Sequence, residues 1–114
     1  SAELVARPLA DGRRDMIVTL GAEGLLIVRR TGETSFQAPF PVRQKSSHGA
    51  GDVFCGALAA RLSQGEDLED ACDFARIAAA LHVATEPGAQ GSIVTAHVIA
   101  ARQDAPATAS NAPQ

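Results

Sequence analysis

The sequence predicts an α/β fold in which short β-strands and a hairpin come first, followed by helices packed on a central sheet. Compact apolar runs at residues 16–20 and 25–28 are bounded by turn residues, as buried strands are. An alternating segment at residues 34–38 suits the edge of a hairpin. From residue 53 onwards the apolar residues switch to helical spacing.

Composition sets the size of the fold and excludes several classes of function. The chain has 114 residues with 46% hydrophobic and 4% aromatic content, so we expect one domain with an aliphatic core. Its net charge of −3, with no basic run longer than an arginine pair, argues against nucleic acid and membranes as partners. No apolar run approaches the roughly 20 residues of a membrane span. Cys55 and Cys72 form no C-x-x-C pair and are typical of reduced core residues, which predicts a cytoplasmic protein.

Turn residues separate and end the strands. Residues 21–24 and 31–33 connect the three strands, and Pro39 and Pro41 stop the last because proline cannot donate to a ladder. Before the first strand we expect at most a short helix within residues 2–10.

The first long helix begins in a glycine-rich segment and ends at Gln64 and Gly65. Its apolar positions recur at Val53, Phe54, Ala57, Leu58 and Leu62.

Asp67 is the expected N-cap of the second helix, with Glu69 and Asp70 in its first turn. This helix is predicted to run through Leu81 or beyond, to end before residues 87–88, and to be buried over residues 75–83. A last short helix is predicted with Thr95 as its cap, and residues 1–104 are expected to form one portion of a domain, with a disordered tail at residues 105–114.

Gly49, Ala50, Gly51 and Asp52, here termed the glycine turn, stand at the start of the first long helix. Unpaired N–H groups and the positive end of the helix dipole make such a turn an anion site, and glycine allows close backbone approach. Asp52 would repel a phosphate, but it could take the proton from a hydroxyl that attacks that phosphate. Gly56 shares a face with Asp52 and leaves room above the carboxylate. The same residues also suit an aspartate that only stabilises the helix dipole.

Other catalytic motifs are missing. The sequence contains neither a Walker A loop nor a dinucleotide fingerprint. His48, His82 and His97 lack metal-ligand spacing, so we expect structural or solvent-facing roles for them. A triad of Ser46 or Ser47 with His48 and Asp52 is disfavoured because neighbours in one tight turn rarely reach triad geometry.

Four blocks in order and nearly in register carry a resemblance: residues 17–24, 48–58, 74–80 and 88–92. Together they resemble the C-terminal part of ribokinase-like (PfkB-type) carbohydrate kinases. The resemblance implies an α/β fold with a largely parallel central sheet, and transfer of the γ-phosphoryl of ATP to a sugar hydroxyl.

The resemblance also implies roles for single residues. Asp52 matches the catalytic base, and Gly49, Ala50 and Gly51 match the anion hole for the phosphoryl oxygens. Arg76 falls where the family often presents Asn or His near the adenine, and its guanidinium could stack on a base. The positions that match nucleotide contacts are Thr19, Gly21, Glu23, Gly24, Gly51, Asp52 and Arg76.

The metal sites implied by the resemblance are incomplete in this chain. Ser46 and Ser47 replace an Asp-Thr pair that helps to bind a monovalent cation, so a K⁺ site formed with His48, Gly88 and Ser92 is expected to be weakened or absent. The N-x-x-E motif for Mg²⁺ cannot be present because the only asparagine is Asn111.

We therefore expect a fragment of an ATP-dependent carbohydrate kinase that carries the nucleotide half of the site and is inactive alone, with Mg²⁺ bridging the phosphates. One alternative is a non-catalytic nucleotide-binding or interaction module derived from this family, and another is a kinase of the same superfamily acting on a vitamin-type alcohol. An open sheet edge could lead to a homodimer.

Overall fold

The computed structural model describes residues 12–46, 48–86 and 95–104, which fall into two compact units that meet in sequence at Pro39 and Phe40. The first unit is a sheet and the second is helical. No helix in the described ranges is long and apolar enough to cross a membrane. The strands are β1 (Met16–Thr19), β2 (Leu25–Val28) and β3 (Thr34–Gln37), and the helices are α1 (Ala50–Ser63), α2 (Leu68–Ala84) and α3 (Thr95–Asp104).

The first unit is a three-stranded antiparallel sheet in the order β1-β2-β3. Leu26 and Val28 of the central strand pack against their cross-strand partners Val18 and Met16. All four residues of β2 are buried, as its continuous apolar run predicts. The resemblance implies a largely parallel sheet for the family, but these strands are joined by connections of a few residues. Parallel neighbours would need a crossover of about a dozen residues or more.

Between β1 and β2 the chain forms one turn of 3₁₀-helix, Gly21–Glu23, where the sequence predicts a turn. The turn closes when the Leu20 N–H donates to the Gly24 carbonyl at 2.8 Å. Gly24 has φ +102°, and a Cβ there would lie 2.2 Å from the carbonyl oxygen of Gln37. The sheet itself therefore requires glycine at position 24.

The second unit is built on α1 and α2. The sequence predicts both helices closely: Gln64 caps α1, and the Asp67 side chain accepts a hydrogen bond from the Glu69 N–H at 3.3 Å. The core between the helices is built from buried and half-buried apolar side chains. Buried Phe74, Ile77, Ala78 and Val98 pack with half-buried Phe40, Val53, Ala57, Leu81, Ile99 and Ala101.

Two expectations about burial are wrong. Cys55 is exposed, although Cys72 is buried as predicted. Cys55 and Leu62, which is 41% exposed, both lie on the side of α1 that faces away from Phe54 and Ala57. In α2 the buried stretch is shifted towards the N-terminus, covering Ala71, Cys72 and residues 74–78, while residues 79–84 are half-buried.

Thr95 is the first residue of α3 in the structure. The other expectations, a short helix at residues 2–10, a helix stop at residues 87–88 and a disordered tail at residues 105–114, lie outside the described residues.

Candidate functional site

The glycine turn starts α1 as the sequence predicts. Gly49 is the N-cap, with φ +83° and ψ 0°, and it offers no side chain to cap the helix. The first bond of the helix runs from the Val53 N–H to the Gly49 carbonyl at 3.0 Å. The N–H groups of residues 50–52 precede that bond and have no acceptor within the helix, which leaves them able to bind an anion.

Asp52 lies in the first turn of α1 and its side chain is exposed. Within the described ranges no group donates a hydrogen bond to its carboxylate, so both oxygens are accessible. A Cβ added at Gly51 or Gly56 would meet nothing within 4 Å, which gives the open space that the sequence predicts around the carboxylate.

The segment that leads into the glycine turn is attached to the C-terminal end of α2. The Lys45 and Ser46 N–H groups donate to the Val83 carbonyl at 2.6 and 3.0 Å. The His82 ring nitrogen Nε2 lies 2.9 Å from the His48 carbonyl oxygen. Sequence reasoning missed this role of His82. Nothing in a single sequence links residues 48 and 82, so no local signal could have revealed it.

Arg76 is buried in the middle of α2, with 8% of its surface exposed. Its Nη2 donates to Asp73 Oδ1 at 2.6 Å, and its guanidinium lies over the Phe40 ring at 5.9 Å from the centroid. The Nε and Nη1 atoms are buried with no hydrogen-bond acceptor within the part of the chain that the structure describes. Such orphaned donors are costly in a folded protein and call for a ligand or a functional reason.

The remaining residues that match nucleotide contacts lie in the first unit, at the turn between β1 and β2. Thr19, Gly21 and Glu23 are exposed there, and Gly24 is half-buried. Gly21 has φ +58°, and a Cβ at this position would meet no neighbour within 4 Å.

Two of the residues proposed for a K⁺ site, Ser46 and His48, have hydrogen-bond partners in the structure. The Ser46 hydroxyl accepts from the His48 N–H at 3.2 Å, and the His48 carbonyl faces His82. Ser47, Gly88 and Ser92 lie outside the described residues. Ser46 therefore presents a neutral hydroxyl oxygen that already accepts one hydrogen bond. Within the described ranges no group of three or more His, Cys, Asp or Glu could hold a metal.

At the other end of the helix pair lies the Glu66 cluster, formed by Arg61, Glu66, Phe74 and Arg102. Arg61 Nε donates to Glu66 Oε2 at 2.9 Å, and Arg102 Nη1 lies 3.4 Å from Oε1. Both guanidiniums lie over the Phe74 ring, at 4.4 and 5.6 Å from its centroid. Burial raises the pKa of Glu66, but the bonds from both arginines outweigh it and hold the pKa below its ordinary value.

Comparison with known proteins identifies the family. A family model described as pfkB family carbohydrate kinase matches residues 1–96. The ribokinase of Bacillus subtilis is 38% identical over 80 residues, which cover 70% of this chain and 27% of the relative. The 5-dehydro-2-deoxygluconokinase of Clostridium perfringens is 31% identical over 83 residues, covering 73% of this chain and 25% of the relative.

Solved ribokinases share the fold. The Thermotoga maritima enzyme superposes with a TM-score of 0.79 at 37% identity, covering 91% of this chain and 35% of the other. The Arabidopsis thaliana ribokinase, solved with ribose and ATP, gives 0.77 at 26% identity, covering 91% and 34%. The chain spans about a quarter of the length of these two curated relatives and about a third of the length of these two structures. The chain belongs to the pfkB family of carbohydrate kinases.

Proposed function

We propose that this chain carries the phosphate-binding turn and the catalytic base of an ATP-dependent carbohydrate kinase. One observation carries the proposal: an exposed carboxylate, Asp52, stands in the first turn of a helix whose N-cap is an uncapped glycine. The helix end attracts an anion, whereas the carboxylate repels one. Kinase chemistry explains why the two stand together: the turn binds the phosphate, and Asp52 accepts the proton of the hydroxyl that attacks it. Family membership and the ribose and ATP in the Arabidopsis thaliana structure support the same reading.

In this mechanism the chain's own groups supply two effects. The N–H groups at Gly49, Ala50 and Gly51 donate to the phosphoryl oxygens and stabilise the charge that they carry in the transition state. The sugar hydroxyl oxygen attacks the γ-phosphorus, its proton passes to a carboxylate oxygen of Asp52, and the bond to the bridging oxygen breaks to leave ADP.

Further nucleotide contacts are assigned by resemblance. Arg76 would contact the base, and its orphaned Nε and Nη1 support a ligand near this side chain. The family match alone supports nucleotide contacts at Thr19, Gly21, Glu23 and Gly24. The glycine at position 24 is not independent support, because the sheet itself requires a glycine there. A Mg²⁺ ion held by the phosphates would neutralise their charge. No cluster of ligands in the described ranges holds one, so no step is assigned to it.

Because the chain spans only about a third of the ribokinases that it matches, we propose that sugar-binding and magnesium-binding residues come from outside these 114 residues. On this basis the isolated chain binds ATP and does not turn it over. The second candidate function is a nucleotide-binding module without catalysis. Arg76 and Ser46, which depart from the family pattern, favour it, and the presence of Asp52 counts against it.

The first test is calorimetric titration of the 114-residue chain with Mg-ATP, with NAD as the control ligand and circular dichroism to verify folding. We expect ATP to bind and NAD not to bind. A folded chain that binds neither nucleotide would contradict the proposal. In a longer protein that carries this chain, an ADP-release assay with sugars and with vitamin-type alcohols then identifies the acceptor. Binding without ADP release for any acceptor would favour the non-catalytic module.

A further inference from the structure

We infer that His82 is a positioning residue for the glycine turn: its ring holds the His48–Gly49 peptide in the orientation that presents the turn's N–H groups to a phosphate. The inference rests on the proposed function, since it names a residue on which that anion site depends. His82 lies on α2, outside the glycine turn and outside every motif that the sequence supplies.

The direction of the contact follows from its partner. His82 Nε2 lies 2.9 Å from the His48 carbonyl oxygen, and a carbonyl oxygen only accepts hydrogen bonds. Nε2 therefore carries the hydrogen and donates it.

Holding that carbonyl fixes the neighbouring amide. In a trans peptide the C=O and the following N–H point in opposite directions. When the His48 carbonyl is held towards α2, the Gly49 N–H is directed away from α2. A flip of this peptide would break the bond to His82 and reverse the amide, which is one of the proposed phosphate donors.

A second contact involves Gly49 itself. A Cβ at this residue would lie 2.9 Å from His82 Nε2, and Gly49 has the left-handed φ of +83°. The ring thus occupies the space beside the α-carbon of Gly49 while it bonds to the preceding carbonyl. His82 and Gly49 act as one unit, and only glycine allows this approach.

The other attachments that this segment makes to described residues do not involve the His48–Gly49 peptide. The bonds from Lys45 and Ser46 to the Val83 carbonyl hold the chain farther upstream. The Lys45–Glu86 ion pair spans 3.4 Å, but both side chains are largely exposed, so it adds little. Glu86 therefore offers a matched control: its removal loosens the same segment without touching the His48–Gly49 peptide.

The experiment compares three variants in a catalytically competent protein that carries this chain: His82→Ala, His82→Gln and Glu86→Ala. We expect His82→Ala to lower kcat by about 10-fold to 100-fold while KM for ATP changes by less than about threefold, because misplaced donors act mainly in the transition state. His82→Gln supplies another N–H donor and should recover most of the activity. Glu86→Ala should match the wild type.

Amide hydrogen exchange gives a readout that does not depend on activity. The Val53 N–H, which bonds to the Gly49 carbonyl, should exchange faster in His82→Ala and recover in His82→Gln, with the melting temperature as the control for global stability.

The two failures are distinguishable. Wild-type protein that neither binds ATP nor transfers phosphate would contradict the proposed function. The exchange rate of the Val53 N–H would still show whether His82 holds the glycine turn in place. Unchanged exchange and unchanged kcat in His82→Ala would overturn the inference. Equal losses of kcat and stability in both His82 variants would also overturn it, since the ring would then act by packing alone.

Discussion

The two ends of the α1–α2 helix pair use charged groups in opposite ways. At one end, in the Glu66 cluster, two arginines bond one carboxylate and both lie over the Phe74 ring. At the other end, in the glycine turn, Asp52 receives no hydrogen bond from any described residue. The N–H groups of residues 50–52 there have no acceptor in their own helix.

The difference separates stability from function. Paired charges contribute to folding and have little capacity left for a ligand, whereas solvent-exposed unpaired groups are hydrated at little cost and remain able to bind one. Arg76 lies between the two ends and combines both features, because Nη2 bonds Asp73 while Nε and Nη1 have no acceptor among the described residues. Substitutions at the two ends should therefore change different observables.

Asp52→Asn should give the largest effect. Without a base to accept the hydroxyl proton, turnover in a catalytically competent protein should fall by about 10² or more. ATP affinity should hold or improve, because a negative charge beside the phosphate is lost. Kinetics and calorimetry measure the two quantities, and near-normal turnover would contradict the role of Asp52.

Gly51→Ala tests whether open space in the glycine turn is kept for a ligand. The new methyl meets nothing in the protein, and alanine favours a helix over glycine by about 0.5–1 kcal/mol, so stability should hold or rise. The same methyl would block a phosphate, and kcat/KM for ATP should fall about tenfold or more. If the variant is more stable and its kcat/KM for ATP is unchanged, no phosphate binds beside Gly51. Ser63→Ala, at the exposed C-terminal end of α1 and away from the glycine turn, is the control for helix stability.

Glu66→Gln tests the paired end. Loss of the charged hydrogen bonds should lower the free energy of unfolding by about 1–2 kcal/mol at pH 7, with ATP binding unchanged. Because the pKa of Glu66 is held below its ordinary value, its stabilisation is present above that value and is lost as the pH falls through the lowered pKa. The gap between wild type and variant in urea unfolding should therefore close below about pH 4. Glu33→Gln, which changes an exposed carboxyl in the first unit, serves as the control. A difference in stability between wild type and Glu66→Gln that persists in acid would show that the negative charge of Glu66 is not the source of the stabilisation.

Arg76→Met should give the smallest change in stability, within about 1 kcal/mol, because the lost ion pair is offset by removing two unpaired donors. ATP affinity should fall about threefold to tenfold if the guanidinium contacts the base. Arg61→Met is the matched variant at the paired end, and it should lower stability with ATP affinity unchanged. Calorimetry and urea unfolding on both variants decide the comparison, and equal ATP affinity in Arg76→Met would exclude the base contact.

Local chemistry was sufficient to predict most elements from the sequence. β2 coincides with the predicted residues, and β1 and β3 each end one residue earlier than predicted. Asp67 caps α2 as predicted, and the glycine turn opens α1. These features depend on side chains within a few residues of one another, so the sequence contains everything that decides them. The family pattern, carried by four blocks at residues 17–24, 48–58, 74–80 and 88–92, was also readable from sequence.

Contacts between distant residues were decided only by the tertiary structure. The sequence does not determine that Cys55 faces outwards or that Arg76 is buried over Phe40. It also does not show that the His82 ring reaches the His48 carbonyl, 34 residues earlier. Each of these depends on which helix face or strand edge meets which neighbour. That choice is made by the packing of the whole unit, because the pattern of any single segment is compatible with several partners.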